Sequence, residues 1–397
     1  ERTKGVSADT NNITNTAEDF YAPSYAYTNG NSAYSGKIVV YLGNNGLINV
    51  AVFFGGDSVE HEVSIISAVQ AMTHLNREKY NVYTLGITKD GRWLFYDGDI
   101  DSIENNTWEK NTVSAIISPD KSEKSLLVFK GEKLEKIKID IIFPVMHGKN
   151  GEDGTIQGIF ELAGIPYVGP HVAASAVSMD KTLTKLVVDQ AGVPQAAWHL
   201  VRGGDLNNHM DNTLDTLEKR FSYPMFVKPA GTGSSVGVSK AADREALSTA
   251  LMAAAAFDDK ILVEEFIHGR EVEVAVMGND NPVASICGEI DSGAEFYDYE
   301  AKYVTDTSVA YIPARISEEV AEQVRESAVK VYSAIGCQGL SRVDFFVTYE
   351  DNRVVFNEIN TLPGFTSISM YPKLFAASGI PYSELIDALL NLAVEAK

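Results

Sequence analysis

VAVFFGGDSVEHEVSIISAVQAMTHL, residues 50–75, followed by YNVYTLGIT, residues 80–88, decides the fold class. The first five residues form a continuous apolar run, which suits a strand buried on both faces. Gly55 and Gly56 end it. Apolar residues then recur at Ile65, Ala68, Val69, Met72 and Leu75, the spacing of one helical face. A second strand follows. Strand, glycine turn, helix and strand make a βαβ unit, so a parallel sheet is expected.

Downstream, IDIIFPVMHG (139–148) reads as a further buried strand, and TIQGIFELAGI (155–165) as a helix closed by Gly164. TLTKLVVDQAG (182–192) reads as a helix stopped by Gly192, with Pro194 just beyond. YPMFVKP (223–229) is a strand leading into the glycine-rich GTGSSVG (231–237). A helix over 243–257 and the strand ILVEEFI (261–267) complete a small α+β block. The last third holds the alternating strand REVEVAVMG (270–278), a long helix over 318–336 and a final helix at YSELIDALLNLAVEA. Between these helices SRVDFFVTYEDNRVVFNEIN (341–360) reads as a hairpin turning at Glu350-Asp351-Asn352. Upstream, residues 1–36 are rich in Asn, Thr, Ser, Ala and Tyr without a helical or strand period, and KIVVYLG (37–43) is a strand candidate with no evident partner. Residues 1–48 are therefore expected to be an N-terminal tail or an appended segment without a catalytic role.

The chain has 397 residues, which suggests two or three domains. Its 45% hydrophobic content excludes general disorder, and no apolar run reaches the length of a membrane span. Two cysteines, Cys287 and Cys337, cannot make a disulfide framework or a thiolate zinc site. The net charge of −21 argues against general nucleic-acid binding but leaves room for a local cationic pocket. A soluble, multidomain, cytoplasmic protein is expected.

Several segments could carry chemistry. Glu358 and Asn360 lie two apart on a strand, so both project from one face, and Asp344 on the partner strand can reach the same region. Two carboxylates and an amide oxygen are hard donors suited to Mg²⁺, although a solvated polar sheet face would read the same way. GTGSSVG could fold over phosphates or be a surface loop, and it matches neither a Walker loop nor a dinucleotide fingerprint. Lys181 and Lys228 sit at element ends, where they could neutralise phosphates or simply be solvated. In Glu60-His61-Glu62, at a helix start after Gly55-Gly56, a carboxylate could hold an ammonium while the helix N-terminus attracts an anion, or Ser58 and Glu62 could serve only as caps. His147, in HGKNGEDG (147–154), ends a buried strand, where α/β sheets place ligands. FYDYEAKY (296–303) could be a closing loop or a pair of edge-strand aromatics.

Taken in order, GGDSVEHEVS (55–64), HGKNGEDGTIQG (147–158), SMDK (178–181), FVKPAGTGSSVG (226–237), EEFIHGREV (264–272), FYDYEAKY (296–303), SRVD (341–344) and FNEINTLPGFTS (356–367) resemble the D-alanine–D-alanine ligase family of ATP-grasp enzymes. The resemblance runs from about residue 49 to the end. It implies a three-domain α/β ATP-grasp architecture: an N-terminal parallel-sheet domain (49–169), a central ATP-grasp subdomain (170–267) and a C-terminal domain (268–397), the last two enclosing the nucleotide. The implied reaction is ATP-driven joining of two D-alanines through an acyl phosphate, for peptidoglycan precursors.

Matched residue by residue, Glu62 resembles the anchor for the first substrate's ammonium and His147 the histidine beside it. Lys181, Lys228 and Lys302 resemble the phosphate-binding cations. Ser234 and Tyr303 resemble the partners that latch the closing loop. Glu264 and Glu271 are similar to the residues at adenine and ribose. Asp344, Glu358 and Asn360 resemble the ligands of two Mg²⁺ ions, for which Mn²⁺ could substitute. Arg342 and the Gly364 N–H resemble the groups facing the oxyanion, and Ser369 and Met370 those at the second substrate. The family also implies a homodimer acting on D-alanine and ATP, with no nucleic acid or membrane partner.

Two positions bear on substrate choice. Ile368 stands where the family commonly has a histidine, and Met370 keeps an apolar group where relatives that use D-Ser tend to carry a basic one. Met370 therefore favours D-Ala, with a D-alanine–D-serine ligase of the vancomycin-resistance type as the alternative. Tyr303 in an intact FYDYEAKY argues against an ester-forming D-lactate enzyme. A nucleotide-binding protein without catalysis would be expected to lack a metal ligand or Arg342, and all are present.

Overall fold

The computed structural model describes residues 46–291 and 309–396. The tail, KIVVYLG and FYDYEAKY lie outside these residues, and so do Lys302 and Tyr303. Strand β1 (Ile48–Gly55) is buried along nearly its whole length. It pairs in parallel with β2 (Tyr80–Ile87). β3 (Trp93–Tyr96), β4 (Thr112–Ile117), β5 (Ser125–Lys130) and β6 (Lys133–Lys138) continue as an antiparallel meander. β7 (Ile141–Met146) returns to lie parallel to β1 on its other edge. The order is β6-β5-β4-β3-β2-β1-β7.

The expected parallel pairing thus holds at the centre, β2-β1-β7, and the sheet as a whole is mixed. The reason lies in the connections: only Gly131 and Glu132 separate β5 from β6, and so short a link can only reverse the chain. Helix α1 (His61–His74) follows β1, α2 (Ile100–Glu104) lies between β3 and β4, and α3 (Thr155–Ala163) follows β7. Gly164 closes α3 at φ 63°, where an L side chain would be strained. Phe53, Phe160 and Tyr167 meet in the core beneath, with ring centroids 5.4 and 5.3 Å apart.

Helices α4 (Val172–Met179) and α5 (Lys181–Ala191) come next. The second sheet is antiparallel: β8 (Trp198–Arg202), β9 (Met225–Pro229), β10 (Ser239–Ala241) and β11 (Lys260–Glu265), ordered β10-β9-β11-β8. α6 (Gly203–Arg220) and α7 (Arg244–Ala255) contribute Leu217 and Leu251 to its core.

The third sheet comprises β12 (Gly269–Met277), β13 (Val283–Ala284), β14 (Gly288–Asp291), β15 (Val309–Tyr311), β16 (Leu340–Thr348) and β17 (Val354–Asn360). Its order is β15-β14-β12-β16-β17, with β13 paired to β12. Helix α8 (Glu318–Ile335) packs Val324, Val331 and Tyr332 into this core. Ala174 of α4 and Val188 of α5 join the same core, so two helices that the sequence places in the central block pack with the third sheet.

α9 (Met370–Ala377) and α10 (Tyr382–Glu395) complete the chain, and α10 returns to the first sheet. Asp387 of α10 meets Lys79 at 2.5 Å, and Tyr382 stacks on His74 with centroids 4.1 Å apart. The segment between β17 and α9 is held from both sides: Tyr382 donates to the Phe365 carbonyl at 2.6 Å, and Phe365 packs edge-on to Phe143 of β7. No helix of the described residues is long and apolar enough to cross a membrane.

Phe160→Ala removes a fully buried ring that Phe53 and Tyr167 enclose. It should cost about 3–5 kcal/mol of stability in urea unfolding. A loss under about 1 kcal/mol would contradict this packing.

Candidate functional site

A cleft of about 510 Å³ opens between the second and third sheets, and Lys181, Lys228, Glu264, Glu271, Glu358 and Asn360 all line it. Lys181 is the first residue of α5, whose N-cap Asp180 accepts from the Thr182 and Leu183 N–H groups. Its ammonium donates to the Thr232 carbonyl at 2.6 Å, which ties the helix start to the GTGSSVG loop. That loop turns through left-handed backbone at Ser234, φ 49°, and Ser235, φ 58°. The Ser234 hydroxyl is buried without a hydrogen-bond partner among the described residues.

Lys228 is the penultimate residue of β9 and Glu264 that of β11. Glu264 is only 4% exposed. One of its oxygens contacts Lys185, the other lies 2.7 Å from Lys228. Burial alone would push this carboxyl up, but the two ammonium groups hold it down at about 2. Burial likewise disfavours the Lys228 charge, yet Glu264, Glu358 and Glu271 together push its pKa up. Nothing in the sequence marks Lys185, which sits on α5 like any helical lysine.

On the third sheet, Asp344 pairs directly with Glu358 and Arg342 with Asn360. Arg342 grips Asp344 in a fork, 2.8 Å at each contact, and lies 3.2 Å from Glu273 of β12. The Asn360 amide donates to Asp344 at 2.9 Å. Burial disfavours the Arg342 charge, and the surrounding carboxylates, Asp344 and Glu273 foremost, more than restore it. Among the described residues no three His, Cys, Asp or Glu side chains form a complete metal cage. Asp344 and Glu358 with the Asn360 amide nevertheless make an all-oxygen donor set, which fits Mg²⁺ bound partly by phosphate oxygens.

The first sheet carries the residues expected at the first substrate, and here the sequence expectation needs correcting. Glu62 points away from the site: its side chain is 54% exposed and pairs with Lys89. Glu60, two residues earlier, is buried. A Cβ on Gly148 would stand 2.6 Å from Glu60 Oε2, and one on Gly233 of the glycine-rich loop 3.3 Å from the same oxygen. Residues two apart at a helix start diverge by about 200°, so only one can face the cleft. The spacing could not say which.

His147 is buried, with Nδ1 2.9 Å from the Leu362 carbonyl and Nε2 3.2 Å from Ser67 Oγ. Both ring nitrogens therefore have partners within the protein. Glu152, also not anticipated, accepts from the Gly148 and Leu362 N–H groups at 2.7 and 2.9 Å. Burial and the neighbouring Glu60 push it up to about 8.

Gly364 and Ser369 come together, since a Cβ at Gly364 would stand 2.7 Å from Ser369 Oγ. Ser369 also accepts from the Thr366 N–H at 3.0 Å. Met370 does not line the main cleft. It is buried, and its terminal carbon packs so close to Gly288 that a Cβ there would be 2.3 Å away. Ile368 is 67% exposed, so the residue that replaces the family histidine faces solvent.

Known proteins are similar to this chain along most of its length. Residues 49–170 match the family model described as "D-ala D-ala ligase N-terminus", and residues 187–391 match "D-ala D-ala ligase C-terminus". The chain belongs to the D-alanine–D-alanine ligase family. A D-alanine–D-alanine ligase of Acetivibrio thermocellus is 53% identical over 360 residues, 87% of this chain and 96% of that protein. One from Caldicellulosiruptor bescii is 49% identical over 348 residues, covering 88% and 95%. Among solved structures, the VanG D-Ala:D-Ser ligase from Enterococcus faecalis aligns with a TM-score of 0.80 at 39% identity, covering 87% of this chain and 99% of its own. The D-alanine–D-alanine ligase from Coxiella burnetii aligns at 0.77 with 34% identity, covering 88% and 94%. The architecture is the family's α/β ATP-grasp fold, and members use ATP with a divalent metal.

Glu264 titrates below its ordinary value, so its share of stability is present above about pH 4.5 and is lost as pH falls toward about 2. Wild-type Tm should therefore fall between about pH 4.5 and 2, and Glu264→Gln should flatten that part of the profile. Equal slopes for the two proteins would contradict the assignment.

Proposed function

We propose that this chain is an ATP-dependent ligase that joins two D-alanines into D-alanyl-D-alanine for peptidoglycan precursor synthesis. The observation that carries this reading is the meeting of Lys181 and Lys228 with Glu358 and Asn360 across one cleft. Cations for a triphosphate thereby face hard donors for its metal. Family membership supports the same reading. Residues 49–169 take the first substrate, 170–267 the nucleotide, and 268–397 the metal and second substrate.

The triphosphate lies against Lys181, Lys228 and the GTGSSVG loop, with Lys302 as a third cation. Glu264 and Glu271 serve the adenine and ribose sides. Asp344, Glu358 and Asn360 would hold two Mg²⁺ ions, for which Mn²⁺ could substitute, and bound there the metal would offset phosphate charge. Glu60, in place of Glu62, holds the ammonium of the first D-alanine, because it is the buried carboxylate beside the glycine-rich loop.

That substrate's carboxylate oxygen attacks the γ-phosphorus, and the bond to ADP breaks, leaving an acyl phosphate. The deprotonated amine of the second D-alanine attacks the acyl carbon. Arg342 and the Gly364 N–H face the resulting oxyanion, where preorganised donors contribute most. The carbon–oxygen bond to phosphate then breaks. Ser369 takes the carboxylate of the second substrate. Ser234 and Tyr303, with Glu60, secure the closed state. Similarity to D-alanine–D-alanine ligases at about 50% identity favours D-alanine over D-serine, a choice Met370 does not carry, since it packs on Gly288 outside the main cleft. The enzyme is read as a cytoplasmic homodimer.

The test is phosphate release from Mg-ATP with D-alanine alone, with added D-serine or D-lactate, and with L-alanine, products being identified by mass. D-alanyl-D-alanine should dominate even with equal D-serine. A dominant mixed D-alanyl-D-serine product would overturn the substrate assignment, and no ligation with any acceptor would overturn the reaction. Glu60→Gln should lower kcat/KM for D-alanine by about 10²–10³-fold, the cost of unpairing a buried ammonium. Glu62→Gln should change it less than about fivefold, because an exposed ion pair contributes about 0–1 kcal/mol. The reverse ranking would restore Glu62.

Removal of metal ligation gives a further check. Glu358→Gln should reduce turnover by at least about 10²-fold with Tm little changed. An unchanged kcat would remove Glu358 from the metal site.

A further inference from the structure

Ser67 lies on the second turn of α1, fully buried, and none of the roles above uses it. Its oxygen accepts the Phe365 N–H at 3.1 Å and lies 3.2 Å from His147 Nε2. The proton positions in this cluster follow from elementary valence. The Leu362 carbonyl can only accept, so the His147 Nδ1 that contacts it at 2.9 Å carries a hydrogen. In the neutral ring Nε2 is then a lone pair, and the single proton of Ser67 goes to it. Burial pushes the imidazole pKa down, which keeps the ring neutral.

The chain of hydrogen bonds runs from the Phe365 N–H to Ser67, from the Ser67 hydroxyl to His147, and from the His147 Nδ1–H to the Leu362 carbonyl. Its two ends bracket Pro363-Gly364. Glu152 secures the same turn independently through the Leu362 N–H. A buried hydroxyl and an imidazole thus fix both sides of the turn that presents the Gly364 N–H.

We propose that Ser67 is a positioning residue for the second half-reaction: acting with His147, it holds the Leu362–Phe365 turn so that the Gly364 N–H faces the oxyanion. This rests on the ligase reading above. The first half-reaction uses the lysines and the metal site, whereas the second needs the oxyanion donors. Misplacement of a donor by about 1 Å can cost about 10²-fold in rate. Losing Ser67 should therefore slow aminolysis of the acyl phosphate more than its formation. Acyl phosphate that the amine does not capture reacts with water, returning D-alanine and phosphate, so ADP would then exceed dipeptide.

The experiment measures ADP and dipeptide in parallel for wild type, Ser67→Ala, Ser67→Cys and Ser67→Thr, with Tm recorded for each. Ser67→Ala should lower dipeptide formation by about 10–100-fold, raise ADP per dipeptide clearly above one, and leave KM for ATP within about twofold. Ser67→Thr, which keeps the hydroxyl, should restore coupling. Ser67→Cys, similar in size but a weak donor, should resemble Ser67→Ala, and it carries the test if the alanine variant does not fold. Equal losses of ADP and dipeptide at an unchanged ratio would overturn the proposal in favour of simple packing, as would threonine failing alongside alanine. Wild type that makes no dipeptide would instead overturn the ligase reading itself.

Discussion

Glu264 sits between Lys185 and Lys228 with almost no access to water, and Arg342 is clasped by Asp344 with Glu273 close by. Taking such groups out of water costs several kcal/mol per ion unless each finds a compensating partner. This requirement organises the molecule around the cleft. β9 and β11 must run side by side to bring Lys228 to Glu264, and α5 must cross them to supply Lys185. β12, β16 and β17 must pair in register to place Glu273, Asp344 and Glu358 around the arginine. A cleft built this way holds fixed charges before any substrate arrives, which is the condition for electrostatic stabilisation of a transition state.

The third wall comes from a distant part of the chain. α10 packs back on the first sheet, and Tyr382, Phe143 and Ser67 all hold Phe365. The turn bearing Gly364 therefore belongs to the third sheet by sequence and to the first by contact. Glu152 and His147 reach the same turn from the end of β7. Under the proposed mechanism, chemistry at this turn would be coupled to how the first sheet is placed, because a shift of the sheet would move the Gly364 N–H with it.

Much of this was legible in the sequence. The apolar run at 50–54, the glycine stops at Gly164, Gly192 and Gly336 and the 341–360 hairpin appear where hydrophobic period and turn chemistry put them. α6 was not, although Leu206, Met210, Leu214 and Leu217 form an apolar stripe, because Gly, Asn and Asp crowd the segment and its backbone leaves helical geometry at His209. The antiparallel meander after β2 has no counterpart in the sequence reading, strands included, because those strands are short and β6, KLEKIK, is almost wholly exposed and carries no apolar run. In the site, motif order brought the lysines and the acidic hairpin to one cleft. It could not distinguish Glu60 from Glu62, since the choice depends on where α1 begins. Ser67, Lys185 and Glu152 carry no sequence signal of their own, and only long-range contacts give them meaning.

The account stands or falls on transfer of the γ-phosphoryl group to a substrate carboxylate. The direct measurement supplies D-alanine with heavy oxygen in its carboxylate and determines the isotope content of the released phosphate by mass. The account predicts one labelled oxygen in each phosphate formed with dipeptide, because the attacking carboxylate oxygen leaves with phosphorus. Unlabelled phosphate accompanying dipeptide formation would contradict it and require activation of the acyl group by another route.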